Sequence, residues 1–148
     1  MILFKEINNE NIDEILNLKV SDFQNEYIES MEESLNDAKS NAYGIKWIPI
    51  GIYDDNLLIG FSMYGLNSEN YLWLDRFLID YRYQHRGYGK KALSELIKYL
   101  KEQYYMSKYI CLSVNKSNEI AIKLYKNLGF NFTDVLDGND PVMLLPIK

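Results

Sequence analysis

Cysteine and histidine are almost absent from this sequence of 148 residues, which contains one of each, Cys111 and His85. A single cysteine excludes an intramolecular disulfide, and one cysteine with one histidine does not make the ligand cluster of a zinc site. Cys111 lies in the apolar run ICLSV without a second histidine to activate it, so we interpret it as a buried, inert thiol. We therefore expect no metal ion and no thiol-based catalysis.

The sequence also lacks long apolar runs and an excess of positive charge. Its apolar stretches have the length of strands and are interrupted by charges, so none predicts a membrane span or a signal peptide. Sixteen Lys and Arg against 21 Asp and Glu give a net charge of −5, which argues against binding to a nucleic-acid backbone. We expect a cytoplasmic protein with no nucleic-acid partner and no membrane partner.

The remaining composition is that of a folded domain. The hydrophobic fraction is 47%, and the length suits one domain spanning residues 1–148. Periodicity predicts the order β, α, α, three β, α, β, α, β, β, which is an α/β fold. The first helix is expected to be capped by Asn11 and to end near Val20, and the second to cover about residues 25–40.

The segment from Leu72 to Tyr104 combines an apolar strand, a turn with two glycines and an amphipathic helix. Gly87 and Gly89 precede the helical periodicity. Two glycines at such a position let successive N–H groups point into one concavity, where the helix dipole adds positive potential. The pattern predicts a phosphate-binding loop, and the alternative is an ordinary turn that opens a helix.

Acidic residues are concentrated between Val20 and Ala38, a stretch without Lys or Arg. Glu26, Glu29 and Glu33 fall on one stripe of the predicted helix, where like charges repel each other. Two interpretations stay open. The stripe is either a solvated helix face or a wall that attracts a cation.

The order of elements, the turn with Gln84, Gly87 and Gly89, and the later segment NEIAIKLYKNLGF together resemble the GCN5-related N-acetyltransferases (GNAT). The resemblance covers essentially the whole chain. More narrowly, SDFQNEYIES, LLIGFSMYGL and WLDRFLID are similar to bacterial spermine/spermidine (diamine) acetyltransferases. The resemblance implies a mixed, mostly antiparallel sheet of six to seven strands, with about four helices on both faces and a splay between the fourth and fifth strands.

The resemblance also implies acetyl-CoA as acyl donor. Phe77, Leu78 and Ile79 would line its pantetheine arm, and Asn115 and Asn118 would contact it from the opposite side, although both asparagines equally suit a turn and a helix cap. The pyrophosphate would lie on the loop, where the expected contacts are Gln84, His85, Arg86, Gly87, Tyr88, Gly89 and Lys90.

Tyr125 is the first candidate catalytic residue. In the family, the tyrosine of the matching LYxxLGF segment protonates the departing thiolate of CoA and contacts the cofactor. A tyrosine with a pKa near 10 carries its proton at neutral pH. The alternative is a core aromatic residue with a satisfied hydroxyl group.

Asp75 is the second candidate. Strand alternation predicts one face with Trp73, Asp75, Phe77 and Ile79 and the other with Leu74, Arg76 and Leu78. An acid among aromatic side chains is expected to have a raised pKa, which suits a general base. The alternative is an ion pair with a distant Lys or Arg, because Arg76 would point to the opposite face and would not be the partner.

The resemblance therefore predicts acetyl transfer by direct attack of a primary amine of a small cationic molecule, a polyamine such as spermidine or spermine. The expected contacts with this substrate are Asp22, Glu26, Tyr27, Glu29, Glu33, Trp73 and Asp75. The alternatives are another amine (an aminoglycoside-like drug, an amino acid or a protein N-terminus) and a non-catalytic acyl-CoA sensor. Homodimers are common in the family, and the aromatic content permits one.

Overall fold

A computed structural model describes residues 1–19 and 31–148 of the chain. Within these residues, seven strands form one sheet in the order β1-β2-β3-β4-β5-β7-β6. The strands are β1 (Ile2–Glu6), β2 (Ile48–Asp54), β3 (Leu57–Leu66), β4 (Leu72–Ile79), β5 (Tyr109–Ser113), β6 (Asn131–Asp137) and β7 (Asp140–Pro146). All neighbouring strands are antiparallel except β4 and β5, which are parallel. The predicted mixed, mostly antiparallel sheet is confirmed.

Four α-helices occur in the described residues: α1 (Ile12–Leu16), α2 (Met31–Lys39), α3 (Tyr88–Gln103) and α4 (Glu119–Asn127). The predicted order of elements is confirmed, but two details of α1 are wrong. The helix ends at Leu16 rather than near Val20, and the side chain of Asn11 does not cap it. Asn11 Oδ1 instead accepts a hydrogen bond from the Asn8 backbone, and its amide donates to the Glu6 carbonyl, so the side chain holds the end of β1.

The helices pack on both faces of the sheet. On one face, Leu93, Leu96 and Leu100 of α3 pack with Leu72 and Ile110 of the sheet, and α4 covers the edge of this cluster. A second cluster on the opposite face is formed by α1, α2 and strand residues. Its buried members include Ile15, Met31, Ala38, Phe61 and Leu78. Burial of these apolar side chains is the main favourable contribution to holding the layers together.

The ladder between β4 and β5 is short. The two strands pair only at Leu72 with Ile110 and at Trp73 with Cys111, although β4 continues to Ile79 and β5 to Ser113. β5 is held on its other side by β7 over five residue pairs. The predicted splay between the fourth and fifth strands is thus confirmed, and it leaves a gap in the middle of the sheet.

A bulge interrupts β4 at the start of this gap. Met63 of β3 lies opposite Asp75 and Phe61 lies opposite Leu78, so Ser62 faces two residues of β4. Arg76 has a φ of 55°, in the left-handed region that bulges use. An extra residue shifts the alternation of faces by one position.

The predicted alternation of β4 is therefore wrong beyond Asp75. Phe77 packs with the cluster that contains Leu74, whereas Leu78 packs with the cluster that contains Trp73. The prediction of alternating faces assumes an unbroken ladder between β3 and β4, and the bulge interrupts that ladder.

Replacement of Gly60, which lies opposite Ile79, tests the close approach of β3 and β4. A Cβ atom at this position would collide with the backbone carbonyl oxygen of Leu78, which is fixed by the sheet. We expect Gly60→Ala to lower the free energy of unfolding by about 2 kcal/mol or more. Urea unfolding followed by circular dichroism measures the change.

Gly51→Ala is the matched control. A Cβ atom there would meet only the ends of side chains, the nearest being Tyr53 Cε1 at 3.0 Å and Leu58 Cδ1 at 3.1 Å. We expect a smaller loss, since side-chain ends move more easily than backbone. Equal losses for the two variants would contradict the close approach.

Candidate active site

The gap between β4 and β5 opens into a cleft of about 1710 Å³, here called the central cleft. Most of the residues predicted from the sequence line it: Glu33, Trp73, Asp75, Phe77, Leu78, Ile79, Gln84, His85, Gly89, Asn115, Asn118 and Tyr125. These residues come from α2, β4, the loop before α3, the first turn of α3, the segment between β5 and α4, and α4. The structure thus brings together side chains that are up to 92 positions apart in the sequence, from Glu33 to Tyr125.

Four residues predicted to bind the cofactor, in the loop before α3 or in its first turn, do not line the central cleft: Arg86, Gly87, Tyr88 and Lys90. The Tyr88 hydroxyl group donates a hydrogen bond to Asp54 Oδ2 at 2.7 Å, which directs this side chain towards the hairpin between β2 and β3. Arg86 and Lys90 are exposed. Their contacts with a cofactor stay predictions. Asp22, Glu26, Tyr27 and Glu29 lie outside the described residues.

The loop before α3 is shaped by hydrogen bonds at the end of β4. Gln84 Nε2 donates to the Ile79 carbonyl oxygen at 2.8 Å, so this side chain holds the loop against the strand. Gly87 precedes α3 with a φ of 81°, which glycine adopts without steric cost. A Cβ atom at Gly87 would meet nothing within 4 Å, and one at Gly89 would meet only Ile79 Cγ1 at 4.0 Å. The backbone at both glycines is therefore open to a ligand.

Asp80 fixes the start of the same loop through its carboxylate. Its carboxylate is buried and accepts hydrogen bonds from the side chain and backbone of Arg82 and from the backbone N–H of Lys19. Burial alone raises the pKa of Asp80, but the bonds from Arg82 and Lys19 outweigh it and lower the pKa below its ordinary value. An ionised carboxylate at this position joins the chain after α1 to the end of β4.

Tyr125 is placed by α4. The predicted helix cap is confirmed, because Asn118 Oδ1 accepts a hydrogen bond from the backbone of Ala121 at 3.3 Å. The ring of Tyr125 packs edge-on against Phe130, with ring centroids 5.8 Å apart. Burial, followed by the negative charge of Asp75, raises the pKa of Tyr125 to about 12. The hydroxyl group therefore stays protonated at neutral pH and is able to donate a hydrogen bond within the cleft.

Asn115 and Asn118 also have structural roles. Asn115 Oδ1 accepts hydrogen bonds from the backbone and the hydroxyl group of Ser117, at 2.9 and 2.7 Å. Both asparagines thus make the turn and cap that their residue type favours. Both also line the central cleft, so contact with a cofactor stays a prediction.

The carboxylate of Asp75 is held by its neighbour Arg76. Oδ1 accepts a hydrogen bond from the Arg76 backbone N–H at 2.8 Å, and Oδ2 lies 3.8 Å from Arg76 Nε. The prediction that Arg76 would not be a partner of Asp75 is therefore wrong. The left-handed backbone of the bulge turns the guanidinium group back towards the carboxylate, which alternation of an unbroken strand would not allow. The raised pKa expected for Asp75 stays a prediction.

Sequence reasoning missed several residues of the central cleft. They are Tyr43, Ile45, Trp47, Asn67, Leu74, Arg76, Ser113, Val114, Ile120, Ala121, Leu124, Val135, Leu136, Asp137, Gly138, Asn139, Asp140 and Val142. Tyr43 is 75% exposed, and Trp47 supports its turn by donating a hydrogen bond to the Ala42 carbonyl oxygen. The turn between β6 and β7 reaches the cleft because β7 pairs directly with β5. No local sequence signal reveals that pairing.

Across residues 1–19 and 31–148, no group of three or more His, Cys, Asp or Glu side chains is placed to hold a metal ion. In the same residues, no helix has both the length and the apolar character needed to cross a membrane. Cys111 is buried as predicted, and burial raises the pKa of its thiol to about 11.

The raised pKa of Tyr125 predicts a pH-dependent difference in stability. The ordinary tyrosine pKa of 10.0 applies to the unfolded chain and about 12 to the folded one, so only the unfolded chain releases this proton as the pH rises above 10. Between pH 8 and about pH 10.5, we expect the free energy of unfolding of the wild type to fall by about 1 kcal/mol more than that of Tyr125→Phe. Urea unfolding at both pH values measures it. Tyr105→Phe, at a position 62% exposed, should behave as the wild type does, and equal losses in all three proteins would contradict the burial of the hydroxyl group.

Comparison with known proteins places this geometry in a family. Residues 12–130 match the sequence model of the family described as "Acetyltransferase (GNAT) family". The chain is 44% identical over 145 residues to the spermine/spermidine N(1)-acetyltransferase of Bacillus subtilis (strain 168), a match that covers 93% of each chain. A second relative, the probable spermine N(1)-acetyltransferase of Bacillus subtilis subsp. natto, is 43% identical with the same coverage.

Solved structures share the fold. The spermidine N-acetyltransferase from Vibrio cholerae, in complex with CoA and spermine, superposes with a TM-score of 0.74 and 17% identity over 98% of this chain and 95% of that chain. At this identity the likeness concerns the fold alone. Since the family model covers most of the chain and the curated relatives exceed 40% identity over 93% of it, the chain belongs to the GNAT family of acetyltransferases.

Proposed function

We propose that this protein transfers the acetyl group of acetyl-CoA to a primary amine of a polyamine such as spermidine or spermine. One observation carries the proposal: a carboxylate, Asp75, and a protonated hydroxyl group, Tyr125, open onto the same cleft at the splay of the sheet. Amine acetylation requires one group that takes a proton from the ammonium and one that assists the departing sulfur. The names of the curated relatives support a polyamine as acceptor.

The residues around the splay fit acetyl-CoA. Phe77, Leu78 and Ile79 line the cleft beyond the last pair of the β4–β5 ladder, where their backbone is available for a pantetheine arm. The open glycines at the start of α3 suit the pyrophosphate, because a helix N-terminus presents unpaired N–H groups and a positive dipole. When bound, acetyl-CoA supplies the activated acetyl thioester.

Asp75 would remove the proton from the acceptor. A primary ammonium has a pKa near 10.4, so roughly one molecule in a few thousand is neutral at pH 7 and able to attack a carbonyl carbon. A carboxylate that is 37% exposed, like that of Asp75, would accept this proton directly or through one water molecule.

Tyr125 would act on the thiolate that departs. A thiol has a pKa of about 8.5, well below the value of about 12 for Tyr125, so complete transfer of the tyrosine proton to a free thiolate is uphill. Tyr125 therefore stabilises the sulfur mainly by donating a hydrogen bond while negative charge develops on it. A hydrogen-bond donor that is already in position before the reaction lowers the barrier, and it does so without giving up its proton.

The acceptor would lie on the side of the cleft that faces α2. Glu33 supplies a negative charge there, and Trp73 and Tyr43 supply aromatic surfaces that attract an alkylammonium group. A polyamine carries a second ammonium at a distance from the reacting amine, and Glu33 would bind it. A cytoplasmic location and a homodimer stay predictions.

Replacement of Gly89 separates cofactor binding from folding. Gly89 is the second residue of α3 and a Cβ atom has room there, so alanine should leave the melting temperature unchanged or raise it. The methyl group would occupy space that we assign to the pyrophosphate. We expect the KM for acetyl-CoA to rise about tenfold, which steady-state kinetics measures. Lys98→Ala, at an exposed position of the same helix, is the control and should change neither the melting temperature nor the KM for acetyl-CoA. An unchanged KM in Gly89→Ala would mean that the cofactor binds elsewhere.

A panel of amines tests the proposed activity. Release of free CoA thiol is followed with acetyl-CoA and spermidine, spermine, an alkyl monoamine, an aminoglycoside, an amino acid or a peptide. We expect the highest kcat/KM with the polyamines. Asp75→Asn and Tyr125→Phe should each lower kcat by about 10²-fold or more while the affinity for CoA is retained.

The matched controls are Asp134→Asn and Tyr105→Phe, both exposed and outside the central cleft. They should keep wild-type kinetics. Turnover of only a drug, an amino acid or a peptide would reject the polyamine as acceptor. Tight binding of CoA without turnover of any amine would reject the enzyme and favour an acyl-CoA sensor.

A further inference from the structure

Arg76 lines the central cleft, yet the reaction described above gives it no role. Its side chain is only 3% exposed, next to the cleft and within the bulge of β4. Burying a guanidinium group is costly unless carboxylates compensate its charge. Its left-handed backbone adds a further cost, and such strain persists only where the surrounding structure fixes it. Both costs indicate that the position serves the site rather than the stability of the sheet.

The first partner of Arg76 is Asp75. Arg76 contacts both carboxylate oxygens, one through its backbone N–H at 2.8 Å and the other through Nε at 3.8 Å. Ser62 of β3 donates a hydrogen bond to the Asp75 carbonyl oxygen at 2.9 Å, which fixes the backbone at the same residue. The backbone hydrogen bond would remain with another residue at position 76, so the part that the arginine side chain itself plays in orienting Asp75 is the ion pair through Nε.

The second partner is Asp37 of α2. Arg76 Nη2 donates a hydrogen bond to Asp37 Oδ2 at 2.7 Å, which joins the strand that carries Asp75 to the helix that carries Glu33. Glu33 and Asp37 are four residues apart in α2 and therefore lie on one face of the helix. One guanidinium group thus contacts Asp75 directly and sets the position of Glu33 through Asp37.

We propose that Arg76 is a positioning residue, which orients the Asp75 carboxylate for proton removal and holds α2 so that Glu33 binds the distant ammonium of the same substrate. This proposal rests on the proposed function, since it requires an amine acceptor. It goes further because it states that the ion pairs of Arg76 with Asp75 and Asp37 set the spacing between the carboxylates of Asp75 and Glu33. Selectivity for a diamine over a monoamine follows from that spacing.

A double-mutant cycle between Arg76 and Asp75 tests the first half of the proposal. Arg76→Met keeps the length and burial of the side chain but removes the charge, and thermal melting confirms that the variant is folded. We expect it to lower kcat for spermidine about tenfold in the wild-type background and less than twofold in the Asp75→Asn background, because its effect passes through Asp75. The KM for acetyl-CoA should change less than twofold, and Arg76→Lys should restore part of the loss.

The outcomes of the cycle are distinct. A wild type that acetylates no amine overturns the proposed function and this proposal together. If the wild type is active but Arg76→Met lowers kcat by the same factor in the wild-type and Asp75→Asn backgrounds, only the role of Arg76 is overturned. That result would mean that Arg76 supports the sheet without acting on Asp75.

Asp37→Asn tests the second half, with Arg76 left in place. The amide keeps the shape of the side chain and removes the charge that pairs with the guanidinium group. We expect the KM for spermidine to rise about fivefold and the KM for an alkyl monoamine to change less than twofold. Glu32→Gln is the matched control, since it removes one charge from an exposed position of the same helix outside the cleft and should leave both values unchanged. Equal changes for the two amines, or for the two variants, would overturn the link through α2.

Discussion

The constraint on which this structure depends is the early separation of β4 from β5. Two residue pairs join these strands, and beyond Trp73 they diverge while each stays bound to its other neighbour. Polar backbone groups inside a protein require partners, so a gap in a sheet is stable only if water or a ligand occupies it. The central cleft is the consequence, and it has a backbone wall that suits an extended molecule such as the pantetheine arm of CoA.

The bulge in β4 adds a second consequence to this separation. By inserting one residue against β3, it changes which side chains face each core and brings Arg76 back onto Asp75. The cost of a left-handed arginine is offset by two carboxylate partners, one of which belongs to α2. The ion pair between Arg76 and Asp37 thereby ties β4 to α2, the strand and the helix to which we assign the cofactor and the acceptor.

The electrostatics of the cleft follow from the same packing. Tyr125 of α4 is half-buried, and both its partial burial and the negative charge of Asp75 favour the protonated form. A protonated hydroxyl group and the carboxyl group of Asp75 thus line the same cleft. This combination fits the reaction that we propose, in which a cation loses a proton and a sulfur gains negative charge.

The sequence by itself determined the features that depend on neighbours along the chain. Periodicity predicts the order of elements, because helices, caps and turns are set by local backbone geometry. The resemblance of the glycine and LYxxLGF segments to a known family predicts which residues meet at the cleft. Tertiary structure alone decided the bulge, the pairing of Arg76 with Asp75 and Asp37, and the entry of the β6–β7 turn into the cleft. These features depend on how distant strands pair, and strand register is fixed by contacts that no local pattern encodes.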